Sequence, residues 1–343
     1  MKSPSSTYDV VAYPSYTHVQ THPDRLAVVG RLLGLEPAPV TSCRVLELGC
    51  GDGSNLVPMA FGLPGSQFVG IDLAARPIAQ GQEMISQLGL KNVRLDHRDL
   101  AQFDRGGENF DYIIAHGLFS WVPTEVRQQM LVICRECLAP QGIAFVSYNA
   151  LPGFHVRSML REMMLFHVRG IDSPPERMRQ AQALAELLAA ARSTDDEYSR
   201  LMKAEAENIR NHEPGHLFHD ELAEISDAFY FTQFVELAGR HGLKYLGEAD
   251  YFEMFDHGLS EAARGALQPL AGNRILREQY LDFLKCRRFR QTLLCHAEAA
   301  VANEPDATKV ADFFISSRCQ NSDAVKDLSP GKIVTYVTPN ASR

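Results

Sequence analysis

A single tryptophan, no apolar stretch of about 18 residues and no surplus of positive charge mark what this 343-residue sequence lacks. Without such a stretch no helix is expected to enter a membrane, and Met1 to Gln20 hold no apolar core of signal-peptide length, so the expected location is cytoplasmic. A net charge of −8 leaves no basic field for nucleic acid or anionic lipid. The dense cation cluster Lys285, Arg287, Arg288 and Arg290 reads as a solvated helix end. No disulfide framework is present either. Cys43, Cys50, Cys134, Cys137, Cys286, Cys295 and Cys319 are odd in number and irregular in spacing, which suits reduced thiols. The Cys134–Cys137 pair lies inside a helical pattern without a second pair, so packing is expected there instead of zinc. His212, His216 and His219 flank Pro214-Gly215 in what reads as a loop entering a helix, and no metal is expected. There is no internal repeat.

What the sequence does contain is "VLELGCGDGSN", Val45 to Asn55. Val45, Leu46 and Leu48 predict a buried strand, and Gly49, Gly51 and Gly53 remove side chains where the backbone must bend or approach a ligand. Ser54 stands where a dinucleotide fold would need its third glycine, which argues against a pyrophosphate turn. With Glu47 at the strand end and an acidic residue closing the next strand, the pattern resembles class I S-adenosylmethionine-dependent methyltransferases.

From 44 to 149 apolar strands alternate with amphipathic helices, the pattern of a parallel sheet covered on both faces. Strands are predicted near 43–48, 67–72, 92–97, 109–115 and 142–148, with helices near 54–62, 75–88 and 124–138. Helices then follow one another over 155–169, 176–192 and 195–211, and the strand pattern returns at Leu243–Phe252 and Phe289–Cys295 after a helix at Phe231–Gly242. The expected fold is therefore α/β, a doubly wound seven-stranded sheet of the class I methyltransferase kind with helical insertions. Four regions are expected: 1–154 as cofactor-binding core, 155–215 as a helical insertion roofing the ligand crevice, 216–300 as a region completing the sheet, and 301–343 as a short C-terminal appendage that includes Lys332–Val337.

The candidate cofactor residues lie at predicted strand tips. Asp72 ends the second strand, where a carboxylate can accept both ribose hydroxyls, and Leu73 beside it joins the cofactor set. Asp99 either accepts from an adenine amino group or caps a helix, while the Leu100 backbone would read the ring edge. Glu47 either orients the glycine turn or attracts the methionine ammonium. His116, at the fourth tip, borders the methionine part or acts as a satisfied donor behind it.

Further blocks, among them "YPSYTHVQTHPDRLA", "YIIAHGLFSWVP", "SYNALPGFHVRSMLREMM" and "LFHDELAEISDAFYFTQFVELAGRHGLKYLGEA", resemble bacterial methyltransferases carrying a methyltransferase regulatory domain. That family includes protein-lysine methyltransferases acting on rickettsial outer-membrane proteins. The resemblance implies S-adenosylmethionine as cofactor with S-adenosylhomocysteine as product, a regulatory region over about 216–296, and a lysine ε-amine as acceptor. It further implies a protein substrate such as a bacterial surface protein, with a homodimer as an open possibility. Two other readings stay open: a small-molecule N- or O-methyltransferase, and a non-catalytic cofactor-binding module. Tyr16, Trp121, Tyr148 and Asn149 are the catalytic candidates, the last two as an acceptor-orienting pair, with Tyr13 and His155 as further channel residues. Tyr13-Pro14-Ser15-Tyr16 is expected to fold over the cofactor as a lid or to pack as an ordinary loop.

Overall fold

The computed structural model describes residues 7–103 and 107–314, with Gln320, Asn321, Tyr336 and Val337 beyond them. Cys319 and Lys332 to Thr335 lie outside the described residues. The chain divides into two units, Met1–Pro305 and Asp306–Arg343. In the second, Asp306 caps a short turn at Ala307–Asp312, and two strands, Gln320–Asn321 and Tyr336–Val337, pair antiparallel.

The first unit begins with one helical turn, α1 (Thr7–Val10), and α2 (Pro23–Leu32), and then alternates: β1 (Arg44–Leu48), α3 (Leu56–Gly62), β2 (Gln67–Asp72), α4 (Ala75–Leu88), β3 (Val93–His97), β4 (Phe110–Ala115), α5 (Thr124–Cys137) and β5 (Leu138–Ala150). The strands lie in the order β3-β2-β1-β4-β5 and all run parallel. A parallel sheet needs cover on both faces, which is why these strands read as nearly continuous apolar runs. Val45, Phe68, Tyr112 and Phe145 pack on one face with α2 and α3; Leu46, Val69, Ile113 and Val146 pack on the other with α5. Cys134 and Cys137 are buried in that second layer, as their helical position predicts.

Next come α6 (Phe154–Val168), α7 (Pro174–Ala190) and α8 (Glu197–Arg210), within a few residues of their predicted limits, which share a separate apolar core with Leu217 and Leu222. A short turn, α9 (Pro214–His216), runs into a π turn at Leu217–Glu221. The chain then re-enters the sheet: β6 (Ala228–Phe229), α10 (Phe231–Arg240), β7 (Leu243–Glu248), α11 (Glu261–Leu267), α12 (Arg274–Lys285) and β8 (Phe289–His296). The sheet continues β5-β8-β7, with β8 antiparallel to both neighbours.

The seven-stranded path agrees with the sequence expectation. The two-residue β6, pairing Asn149 and Ala150 with Ala228 and Phe229, was not foreseen because so short a segment carries no alternation. Strand β7 ends at Glu248, four residues early, where the chain turns into a 3-10 segment at Tyr251–Met254. Strand β5 begins early at Leu138, and its pairing with β4 shifts register between Phe110 and Tyr112.

The cation cluster departs from expectation more sharply. Arg290 is 1% exposed: it donates to Glu248 Oε1 at 2.6 Å, Glu278 Oε2 at 3.0 Å and both Asp282 oxygens at 2.9 and 2.8 Å, and it lies over the Phe231 ring. Arg287 is buried against Asp282 and Glu253. The guanidinium fork satisfies several carboxylates at once, so Arg287 and Arg290 pack from within against α12, β7 and β8, while Arg288 is exposed.

Candidate functional site

The carboxyl ends of β1, β2 and β4 open on one edge of the sheet, and the glycine turn lies there. Gly49, Gly51 and Gly53 have φ of +73°, +56° and +78°, left-handed values that side chains resist. A Cβ on Gly49 would meet Leu118 and one on Gly53 would meet Leu95, but one on Gly51 would meet nothing within 4 Å. The turn therefore packs at its two shoulders and presents bare backbone to open space at its middle.

Asp72 fixes that middle. Its Oδ2 accepts from Gly51 N–H at 2.8 Å and its Oδ1 from Ala74 N–H at 2.7 Å, which aims the carboxylate. Leu73 beside it is 56% exposed, a large apolar side chain at the crevice. Asp99 caps the turn Leu100–Gln102, accepting from Ala101 N–H at 2.9 Å, so the capping role weighed for it is realised, and Leu100 is buried beneath. Glu47 is 4% exposed: Oε1 accepts from Asn55 Nδ2 at 2.8 Å, while Oε2 is buried with no protein partner. Burial first, then repulsion from Asp72 and Asp52, pushes its carboxyl up to about 8 against the pull of the Asn55 bond. His116 is stacked at a tilt 4.0 Å from His18, and its Nδ1 is likewise buried and unpartnered. Burial, with His18 beside it, drops its pKa to about 3 and keeps the ring neutral.

The segment from Tyr8 to Thr21 lies across this edge as a strap. At one end Ser15 Oγ donates to Asp52 at 2.6 Å and the His18 N–H to Asn55 Oδ1 at 2.9 Å, beside the glycine turn. At the other, Tyr16 OH donates to Glu213 at 3.0 Å with its ring stacked on His216, Tyr13 OH reaches Asp220 at 3.3 Å, and Tyr8 stacks on His219. Gly215 makes this possible: a Cβ there would sit 2.4 Å from Ala12 O. Burial, with Arg157 and Tyr13 pulling the other way, raises Asp220 to about 7. The three histidines thus serve aromatic packing, and among the described residues no group of His, Cys, Asp and Glu is placed to hold a metal ion.

Beside the same edge, α6, α8, the π turn and the tips of β5 and β8 enclose a cavity of about 420 Å³. Its walls combine Phe154, Leu160, Ile209 and Phe289 with Asn149, Arg157, Glu205, His212, Glu221 and Arg288. The Phe289 ring, in the cavity wall, meets His116 edge-on. Asn149, one of the acceptor-orienting candidates, is 2% exposed with an unpartnered Nδ2. Tyr148, its expected partner, is not there. Successive residues of a strand face opposite ways, and Tyr148 is fully buried on the other face, stacked on Phe234 at 4.0 Å and bonded to Thr292. It is a core residue, and the pairing is corrected. Trp121, half-buried after β4, and Tyr16 do not line the cavity either, and His155 is exposed on α6. Sequence reasoning missed Arg157, Glu205, His212, Glu221 and Arg288. Charged residues on amphipathic helices read as solvated faces, and nothing local shows that two such helices enclose a space.

Comparison with known proteins agrees with this architecture. Residues 46–144 match the model of a methyltransferase domain, and residues 213–296 that of a predicted methyltransferase regulatory domain. The uncharacterized protein RP028 of Rickettsia prowazekii is 36% identical over 246 residues, covering 71% of this chain and 98% of that protein. RP789 of the same organism is 36% identical over 310 residues, 90% of this chain and 56% of its own length. Among solved structures, PKMT2 from Rickettsia typhi, also determined in complex with AdoHcy, superposes with a TM-score of 0.84 at 33% identity over 96% of this chain and 63% of that one. The chain thus spans somewhat more than half the length of RP789 and PKMT2. The two family models cover the glycine turn and strands from both parts of the sheet, and the chain belongs to the class I S-adenosylmethionine-dependent methyltransferases that carry a methyltransferase regulatory domain.

Proposed function

We propose that this chain transfers a methyl group from S-adenosylmethionine to the ε-amine of a protein lysine. The observation that carries the cofactor half is the buried, unpartnered Glu47 Oε2 beside a glycine turn whose centre faces open space. A buried carboxylate oxygen without a donor is costly, and a cationic ligand is what would complete it. Glu47 would hold the methionine ammonium with neutral His116 alongside, Gly51 would let the ligand lie on the backbone, and Asp72 would accept from the ribose hydroxyls. Leu73 would cover the adenine and the Leu100 backbone would read its ring edge, with Asp99 toward its amino group. The bound cofactor supplies a methyl on a sulfonium, displaced in line as the new N–C bond forms and the C–S pair returns to sulfur.

The protein's share is alignment and exclusion of water. The strap from Tyr8 to Thr21, tied to both Asp52 and Asp220, is the natural cover for the crevice. Lysine as acceptor is supported by the resemblance of the sequence blocks to protein-lysine methyltransferases and by the likeness to PKMT2. A bacterial surface protein is the first acceptor to test. The ligand-sized cavity favours one second reading, a small-molecule amine as acceptor.

Heavy-methyl S-adenosylmethionine and a bacterial protein extract, analysed by mass spectrometry, test the assignment together with calorimetry of S-adenosylhomocysteine binding. Label on lysine side chains is the expected result. Label confined to metabolites selects the second reading. Tight binding of S-adenosylhomocysteine with no methylated product overturns both and leaves a binding module.

A further inference from the structure

Three polar atoms in the cavity wall lack partners, Glu221 Oε2, Asn149 Nδ2 and His212 Nδ1, and the first two are complementary in kind. Glu221 is 1% exposed; Arg157 Nε donates to its Oε1 at 2.8 Å, while its Oε2 is buried with no hydrogen bond. Across the wall, Asn149 is 2% exposed with its Nδ2 buried and unpaired. A buried acceptor and a buried donor left empty each carry a desolvation penalty, which a ligand offering one N–H and one oxygen would remove. The remaining walls sort themselves by chemistry. Glu205 is already held by Arg288 at 2.9 Å, and Phe154, Leu160, Ile209 and Phe289 offer an apolar sleeve.

We propose that this cavity is the acceptor subsite, with Glu221 Oε2 receiving an N–H of the entering amine, the apolar sleeve its methylenes and Asn149 Nδ2 an oxygen of the acceptor backbone. The inference rests on the lysine reading above and adds the residues that hold the acceptor. The charge state follows from the wall itself. Arg157 and Arg288 already pair with Glu221 and Glu205, and Asp220, the further carboxyl beside Arg157, is pushed up to about 7 by burial, so an ammonium would enter without an unpaired carboxylate to meet it, whereas a neutral amine needs none. The cavity therefore selects the deprotonated form: one N–H bond breaks on entry, its proton goes to solvent at the half-open mouth, and the electron pair stays on nitrogen. A hydrogen bond from a remaining N–H to Glu221 then fixes where that lone pair points. Arg157 is a positioning residue, acting through Glu221.

Two variants test this from opposite sides. Glu221→Gln keeps the shape of the seat and removes its charge; Asn208→Trp places bulk in the cavity from an exposed lining position, outside the buried network. Wild type and both variants are incubated with heavy-methyl S-adenosylmethionine and a bacterial protein extract, while S-adenosylhomocysteine affinity is measured by calorimetry and folding by thermal melting. The expected result is labelled lysine with wild type, a loss of about 10-fold or more in labelling rate with each variant, and unchanged S-adenosylhomocysteine affinity. The melting temperature of Asn208→Trp should stay at the wild-type value, so that its loss cannot be assigned to unfolding. Lysine labelling by wild type that persists at full rate in Asn208→Trp and Glu221→Gln overturns the subsite and leaves the lysine reading intact. Absence of lysine label with wild type overturns that reading, and the subsite with it.

Discussion

The two halves of the crevice meet the same sheet edge but are wired differently. On the β1–β4 side, the carboxylates at the tips of β2 and β3 accept from nearby backbone, Asp72 from the amides of Gly51 and Ala74 and Asp99 from that of Ala101. On the β5–β8 side the carboxylates pair with charged side chains brought from afar, as in Arg157–Glu221, Arg288–Glu205 and Arg290–Glu248. Backbone donors survive every substitution except proline and hold their partners rigidly. Charge pairs can be broken from either end, and breaking one strands the other. The first half should therefore lose ligand before it loses structure, and the second should lose structure first.

The largest effect is expected at Arg290. Arg290→Met leaves Glu248, Glu278 and Asp282 buried without their shared cation, and should destabilise the first unit by about 3–5 kcal/mol in denaturant unfolding. A change under about 1 kcal/mol would erase the contrast, because that is the scale of surface pairs. Asp72→Ala should do the reverse. S-adenosylhomocysteine affinity should fall by about 1.5–3 kcal/mol, read by calorimetry, with a melting temperature close to wild type.

A subtler test separates Glu47 from its neighbours. Its folded pKa, about 8, lies above the ordinary carboxylate value, so the native state holds a proton that the unfolded chain has given up. The stability this contributes is complete below the unfolded pKa and is lost as pH rises through about 8. Glu47→Gln should flatten that part of the stability profile of the cofactor-free protein, measured by melting between pH 5 and 9. An unchanged slope would show that the Asn55 bond keeps Glu47 ionised after all.

The same contrast explains what could be read in the sequence. Gly49, Gly51, Gly53 and Asp72 fall within one short strand-turn-helix-strand span, where spacing translates directly into geometry, and Glu47 sits at its edge. The helices α6, α7 and α8 were equally legible from their periodicity. Asn149 is placed beside the crevice by its position at a predicted strand tip, but Tyr148 does not share its face, because strand alternation separates neighbours onto opposite faces. Glu221 and Arg157 carried no local signal. One lies on a π turn and the other on a helix, and only the packing of α6 and α8 against the tips of β5 and β8 makes them neighbours. Arg290 was misread for a related reason: its partners Glu278 and Asp282 lie one turn apart on α12, a pattern equally typical of a solvent-facing helix.

The reversed course of β8 has a last consequence for anyone wishing to dissect this protein. The stretch matched as a regulatory domain, 213–296, is not appended to the catalytic sheet; its strands β7 and β8 form one margin of that sheet. Excising it would uncover the full hydrogen-bonding flank of β5 from Ala144 to Asn149, a bare strand inviting association with other chains. A fragment meant to keep the paired flank of β5 covered therefore has to keep β7 and β8.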